Sequence, residues 1–317
     1  MTHRLVSIGD LVLDVVMPSG LPIRAGEHRH VDLLRADPGG AGNVMIAARK
    51  LGLDVSAIGT VGDDAFGAHM LAGLRAAGVE TLGVAVPPGS ATTVVVVLTD
   101  PQSGQHVFVG HRGAGDAIAA TAETRAIVES ADAVFVDGFA LADTRTRELA
   151  FESMAAARDA GIPVYFDPGP MLPREDSALA RRAARAADVV LLTAGEAGAL
   201  LGADAPRYGD LLAGNTRLAV VKRAQDGCTI VGTNEALDVA GFPSDVLDTV
   251  GAGDCFDAAF IAAQLAGWSS GDAAALANAA GAASVRKIGA GSNAPTCAEI
   301  NAVLAEAGLR LRYPCQG

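Results

Sequence analysis

A carboxylate set beside a run of free backbone amides is a proton acceptor next to an anion hole. The stretch Asp248-Thr249-Val250-Gly251-Ala252-Gly253-Asp254 offers that pairing. Apolar residues follow at helical spacing, at Ala258, Ala259, Ile261, Ala262 and Leu265, and Gly267 supplies a stop. The spacing predicts that Gly251, Ala252 and Gly253 open a helix. Unpaired N–H groups and the helix dipole there favour a phosphate or a developing negative charge. A loop that only gripped a pyrophosphate would gain nothing from Asp254, because like charges repel. A base that takes a proton while the hole stabilises a transferring group explains it. So does a plain helix cap. On Gly251 to Asp254 alone, both readings stand.

A second glycine-rich stretch, Pro38-Gly39-Gly40-Ala41-Gly42-Asn43, lies early in the chain. Val44, Ile46, Ala47, Ala48 and Leu51 then repeat like a helix, and Gly52 stops it. The elements that must hold these two loops alternate. Strands are expected at Leu5–Asp10, Val55–Ile58, Ala133–Val136, Pro163–Phe166, Val189–Leu192 and Ala219–Lys222. Helices are expected at His69–Ala77, Arg145–Ala160, Leu179–Ala187, Gly271–Arg286 and Cys297–Ala307. That order predicts an α/β fold, a doubly wound and mostly parallel sheet flanked by helices. Ligands bind such sheets at the C-terminal strand ends. Asp167, Thr193, Glu196 and Lys222 fall at or just past those ends. Asp226-Gly227 reads as a hairpin turn.

Two segments stand outside the alternation. Residues 14–35 carry Asp14 and several Pro and Gly. Residues 91–110 hold a β-branched run, a turn at Asp100-Pro101-Gln102-Ser103-Gly104, and a partner strand. Together they are expected to form a small antiparallel β lid. The core domain is then 1–13, 36–90 and 111–317.

Composition narrows the partners. The 317 residues carry a net charge of −12, which argues against nucleic acid or an anionic membrane as the main partner. Half the residues are hydrophobic, yet no apolar run is long enough to span a bilayer. The N-terminus shows no secretion-signal pattern, so a soluble, cytoplasmic protein is expected. Cys228, Cys255, Cys297 and Cys315 are widely spaced, which suggests neither zinc nor a disulfide framework.

The two glycine loops, one near the start and one near the end, together with the lid pattern resemble the ribokinase-like (PfkB-type) carbohydrate kinases. The resemblance runs from Gly9-Asp10 to Pro295. Asp248 to Asp254 looks like the family's C-terminal signature, Pro38 to Asn43 like its N-terminal one. Val61-Gly62-Asp63-Asp64-Ala65-Phe66-Gly67 is similar to a further family stretch. The resemblance implies an ATP-dependent kinase for a primary hydroxyl of a sugar, sugar phosphate or nucleoside. It makes Asp254 the base and Gly251, Ala252 and Gly253 the anion hole. Asp14, Gly39, Gly40 and Asn43 would bind the substrate. Thr193, Glu196, Lys222, Gly227 and Asn278 would line the ATP side. Glu196 would organise Mg²⁺ through water, and Asp248 would border a K⁺ site. The resemblance also implies a homodimer paired through the lid.

Departures are visible too. Thr193 stands where the family has asparagine. The early loop is one residue shorter than in ribokinase, as in heptose-phosphate kinases. The stretch from Phe166 to Met171 lacks the asparagine and arginine that often follow its Asp-Pro. The last two weigh against D-ribose as the substrate.

Two other readings compete. An NAD(P)-linked Rossmann-type oxidoreductase would use the glycine loops as dinucleotide turns. Neither loop shows Gly-x-Gly-x-x-Gly, and neither has the acid about 20 residues on. A non-catalytic sugar sensor on the same fold would have no need of Asp254.

Overall fold

The computed structural model describes residues 2–315, apart from 101, 104, 204–205 and 235. Pro101 and Gly104 of the expected lid turn therefore lie outside the described residues. Among these residues there are two sheets. The large one has nine strands in the order β13-β12-β11-β10-β9-β8-β1-β4-β5. Its parallel part is β11 (Leu218–Lys222), β10 (Val189–Thr193), β9 (Val164–Asp167), β8 (Ala133–Asp137), β1 (Arg4–Ile8), β4 (Asp54–Thr60) and β5 (Glu80–Ala85). β12 (Cys228–Gly232) and β13 (Ala236–Val239) finish one edge antiparallel.

The central strands are near-continuous apolar runs because both faces are covered. Side chains alternate along each strand. Leu5 and Phe135 join one core with α1 (Ala41–Lys50), α9 (Ala252–Leu265) and α10 (Ser270–Ser284). Val6, Val134 and Val136 join the other with α5 (Arg147–Asp159), α7 (Ser177–Ala186) and α8 (Ala194–Leu201). The chain runs outward from β1 to β4 and β5, then returns to β8 and proceeds the other way. The switch point thus lies between β1 and β8.

The small sheet has the order β3-β2-β6-β7, from β2 (Leu11–Pro18), β3 (Arg35–Gly40), β6 (Val94–Thr99) and β7 (His106–His111). It is mixed and not purely antiparallel, since β2 and β6 run parallel. Pro38-Gly39-Gly40 is therefore the end of a paired strand, not a free loop.

Two other expectations are corrected, and two elements were not foreseen. The helix read at Arg145–Ala160 begins at Arg147, because Arg145 is spent on a buried ion pair with Asp143. β5 and α3 (Ala122–Glu129) had no clear sequence signal. Cys297 and Cys315 form a disulfide. It staples the C-terminal tail to α11 (Cys297–Glu306), where Asn301 also holds the Tyr313 backbone through two hydrogen bonds. Among the described residues no helix is long and apolar enough to cross a membrane.

Candidate active site

Four parallel strands end on polar side chains: Asp137 on β8, Asp167 on β9, Thr193 on β10 and Lys222 on β11. Register sets Asp137 beside Asp167, and Thr193 beside Lys222.

Helix α9 starts over this row. Gly251 is its N-cap with φ 75°, a left-handed conformation suited to glycine. A Cβ there would lie 2.4 Å from the Cβ of Ala290. No side chain caps the helix, so the plain-cap reading of Asp254 fails. Asp254 sits in the first turn, and its Oδ2 accepts a hydrogen bond from Nδ2 of Asn43 at 2.9 Å. The amides of that turn have no partner within the helix. Burial pushes the Asp254 carboxyl up to about 6. The Asn43 hydrogen bond pulls it down, Asp167 pushes it up and Lys222 pulls it down. A carboxyl poised there can accept a proton near neutral pH.

Lys222 is buried beneath the same turn. Its Nζ donates to Asp167 Oδ2 at 2.7 Å and to the two Asp257 oxygens at 3.0 and 3.1 Å. Burial alone would favour the neutral amine, but Asp167, Asp257 and Glu196 reverse this and raise its pKa. A Cβ on Gly253 would stand 3.6 Å from Nζ. The helix start therefore lies over a buried ammonium whose charge is shared with Asp167 and Asp257.

On the other side of Asp254 lies a crowd of carboxylates. Asp14 projects from β2 against the backbone of β3, where a Cβ on Gly39 would fall 1.9 Å from its Oδ2. Only glycine leaves room for it. Burial pushes Asp14 up to about 7, and the charges of Asp254, Asp10 and Asp37 add to this. Burial pushes Asp10 up to about 6, with Asp143 adding and Arg145 opposing. Asp137 is raised well above the usual range by burial. Its Oδ1 accepts the Ala140 amide at 2.7 Å, while its buried Oδ2 has no partner among the described residues. Such a wall has acceptors to spare and few donors, which suits a ligand rich in hydroxyl groups.

The other expected residues fall around this centre. Gly40 adopts φ 52° and caps α1. Asn43 is buried inside α1 and is not its cap; besides binding Asp254, its Oδ1 accepts the Gly291 amide at 2.9 Å. Thr193 and Glu196 cap α8 reciprocally, with Thr193 N–H donating to Glu196 Oε2 at 2.7 Å. Glu196 is half-buried, and burial followed by the Asp167 charge raises its pKa. Asp248 is buried, its Oδ1 accepting the Val250 amide at 3.0 Å and its Oδ2 the Gly289 amide at 2.8 Å. Two residues are engaged structurally. Gly227 closes the β11–β12 turn, where a Cβ would meet Val239 O at 2.0 Å. Asn278 donates to Val239 O and Ala240 O at 3.3 and 3.1 Å, tying α10 to the strand edge.

Sequence reasoning missed Asp10, Asp137, Asp257 and the ion pair of Asp143 with Arg145. Asp10 and Asp137 each end or follow a core strand, which was the signal available.

Bound groups can be tested against this donor set. The helix start and Lys222 fit nucleotide phosphates. No group of three His, Cys, Asp or Glu side chains among the described residues is placed to hold a metal. A Mg²⁺ ion arriving with phosphates keeps several waters, and Glu196 could meet it through one. Asp248 has no ion-pair partner among the described residues, and its buried charge fits a monovalent cation beside Gly289.

A family model described as pfkB family carbohydrate kinase matches residues 2–297. An ATP-dependent ribose-1-phosphate kinase of Halopiger xanaduensis is 32% identical, over 96% of this chain and 98% of its own. The ribokinase of Bacillus subtilis is 28% identical, over 94% of this chain and 98% of its own. Among solved structures, one from E. coli, provisionally assigned as a ribokinase II and holding ATP and Mg²⁺, superposes with a TM-score of 0.82. It is 22% identical and covers 96% of this chain and 99% of its own.

Proposed function

The chain belongs to the pfkB family of carbohydrate kinases, and from that premise we propose how its own residues phosphorylate a primary hydroxyl of a sugar, sugar phosphate or nucleoside. It is an ATP-dependent phosphotransferase with an alcohol group as acceptor. The oxidoreductase and sensor readings are not favoured. The observation that carries the mechanism is Asp254, half-buried in the first turn of α9 and poised near neutrality.

Asp14, Asp137 and Gly39 hold the hydroxyl-bearing ring. Asp254 accepts the proton of the attacking hydroxyl. The γ-phosphoryl of ATP is positioned by the amides from Gly251 to Gly253, over the buried cluster of Lys222, Asp167 and Asp257. Phosphoryl transfer has a loose transition state with spread charge, so positioning and electrostatics carry most of the catalysis. Glu196 meets Mg²⁺ through water. Asp248 and the backbone around Gly289 hold K⁺, which fixes the turn next to the base.

The small sheet, residues 14–35 and 91–110 with the strand ends that join them, acts as a lid over the ring. Its outward side pairs two chains. The need for ATP supports a cytoplasmic location, and the Cys297–Cys315 bond, rare in that compartment, is the observation against it.

The test is ATP with a panel of sugars, sugar phosphates and nucleosides, reading ADP. Asp254→Asn should lose about 10²–10⁴-fold in turnover, as loss of a general base does, while still binding ATP. Turnover near wild type in that variant would sink the assignment.

A further inference from the structure

Residues 288–294 touch several parts of the site at once. Ala290 packs against the start of α9, where a Cβ on Gly251 would come within 2.4 Å of its own Cβ. The Gly291 amide donates to Asn43 Oδ1 at 2.9 Å, and the Gly289 amide to Asp248 Oδ2 at 2.8 Å. Ser292 Oγ donates to Asp37 Oδ1 at 3.0 Å, and Asp37 lies on β3, the strand that ends in Gly39-Gly40. A Cβ on Gly291 would stand 2.8 Å from Pro38 O. The segment is thus wedged between the early glycine stretch and the late one. Its regular part is a single 3₁₀ turn, Gly291–Asn293. A turn that short does not hold its shape by its own hydrogen bonds, so its position is set from outside.

Helix α1 sets it. Asn43 and Lys50 are two turns apart on α1 and share one face. Asn43 takes the Gly291 amide near one end of that face. At the other end Lys50 Nζ donates to Ser292 O at 2.8 Å and to Ala294 O. The neighbouring Arg49 does the ordinary work of a basic residue in a last turn, donating to Leu53 O at 2.6 Å and to Asp54 Oδ1 at 2.8 Å. Lys50 does not. It is half-buried, has no ion pair among the described residues, and turns its ammonium to carbonyls 242 and 244 residues away in the chain. Immobilising a lysine costs side-chain entropy, which a solvated lysine avoids.

We propose that Lys50 is a positioning residue for the phosphoryl transfer: it fixes residues 288–294, and through Gly291, Asn43 and Ala290 it holds Asp254 and the Gly251 turn in their working geometry. This rests on the kinase reading and extends it to a residue that acts through others. The path is short. Lys50 grips the carbonyls of Ser292 and Ala294, Gly291 binds Asn43, and Asn43 Nδ2 binds Asp254 Oδ2 at 2.9 Å. The charges facing Asp254 are Asp14, Asp137, Asp167 and Lys222, whereas those facing Lys50 are Lys287, Glu299 and Arg35. The Cys255 thiol lies near both, and burial keeps it neutral. No charge belongs to both sets, so Lys50 acts on the base by geometry and not by its own field.

The competing role for Lys50 is to stabilise the fold alone, and the experiment separates the two. Wild type, Lys50→Met, Lys50→Arg, Asn43→Ala and the double variant of Asn43→Ala with Lys50→Met are compared well below their melting temperatures, with ATP and the best substrate of the sugar panel. Lys50→Met keeps the stem and loses the donors. It should lower kcat about ten- to a hundredfold, as a slight misplacement of reacting groups does, with the KM for ATP little changed. A slackened Asn43 bond favours the ionised carboxylate less, so the acidic limb of kcat/KM should move to higher pH. Lys50→Arg keeps donors and should recover most of the rate. In the double variant the two losses should not multiply, because both cut one path. A Lys50→Met enzyme that melts earlier but keeps the wild-type kcat and limb overturns the proposal, and so do losses that multiply. Lys50→Gln, which is shorter and can still donate, serves the same comparison if Lys50→Met does not fold. Carbon-13 NMR titration of the Asp254 carboxyl without ligands reads the path apart from turnover. It should show a higher pKa in Lys50→Met than in wild type, and equal values overturn the proposal even where the kinase reading stands. Failure of that reading shows separately, as wild type that forms no ADP with any member of the panel.

Discussion

Asn43 holds two halves of the site at once: its Nδ2 donates to Asp254 Oδ2 and its Oδ1 accepts the Gly291 amide, each at 2.9 Å. The early glycine stretch is thereby tied to the first turn of α9. Because the bond favours the ionised carboxylate, it lowers the pKa of Asp254 against the rise from burial. Asn43→Ala removes it. The Asp254 pKa then rises from about 6, and less of the base is ionised at a given pH. The acidic limb of kcat/KM should move to higher pH, with a plateau partly restored in alkali. A limb that stays in place would show that Asn43 only binds substrate.

The readable and unreadable parts of this site differ in how they are built. Gly251 to Asp254 and Gly39 to Asn43 are contiguous, so their chemistry and the helix each begins lie within a few residues of sequence. The alternation of β-branched runs with helical periods also made the doubly wound sheet legible. Lys222, Asp167 and Asp257 are different. They come from two strand ends and a helix, and only strand register and packing bring them into one buried cluster. Lys222 and Asp167 were found by position, without their pairing and without Asp257. Asp137 and Asp10 look like ordinary strand-end acids until burial is known. Cys297 and Cys315 are 18 residues apart, a spacing that matches no pattern; the tail folds back on α11 by packing and by Asn301.

Glu196 is expected to act on magnesium. Burial, and after it repulsion from Asp167, raises its pKa. A divalent ion nearby would relieve that repulsion. Glu196→Gln should raise the Mg²⁺ concentration for half-maximal rate severalfold, with partial rescue by excess metal. The amide can still accept the Thr193 hydrogen bond, so the α8 cap should survive in the far-UV CD spectrum. An unchanged magnesium titration would leave Glu196 as a capping residue only.

Potassium should stimulate the enzyme. Asp248 is 3% exposed, and among the described residues its side chain is engaged only by two backbone amides, from Val250 and Gly289. A buried carboxylate without a cation is costly, and K⁺ would offset its charge. The ion would also fix the turn that leads to Gly251. Rates in K⁺ and in a large organic cation at equal ionic strength should differ several-fold. Asp248→Asn should abolish the difference. Equal rates in wild type count against the site.

The small sheet offers the last test, because register now says which valine faces which way. Side chains level with one another in paired strands share a face. Asp14 is level with Val95, and Val95 with Gly110. Asp14 feels Asp254, so this face looks into the site. Val96 is level with Val15 and Val109, and Leu98 with Met17 and Val107, so these turn outward. Val109 is 59% exposed and Val107 44%. An apolar face of this kind marks a partner surface, and the edge strand β7 has open backbone groups beside it. A homodimer is therefore expected by light scattering at micromolar concentration. Val96→Asp should shift the mass toward the monomer. Val95→Asp should leave the mass alone and raise the KM for sugar about tenfold or more, because it adds a carboxylate beside Asp14 in a cavity already crowded with them. A monomeric wild type rules out the pairing. The reverse pattern, with Val95→Asp splitting the dimer and Val96→Asp weakening sugar, would mean that the sheet lies over the site the other way round.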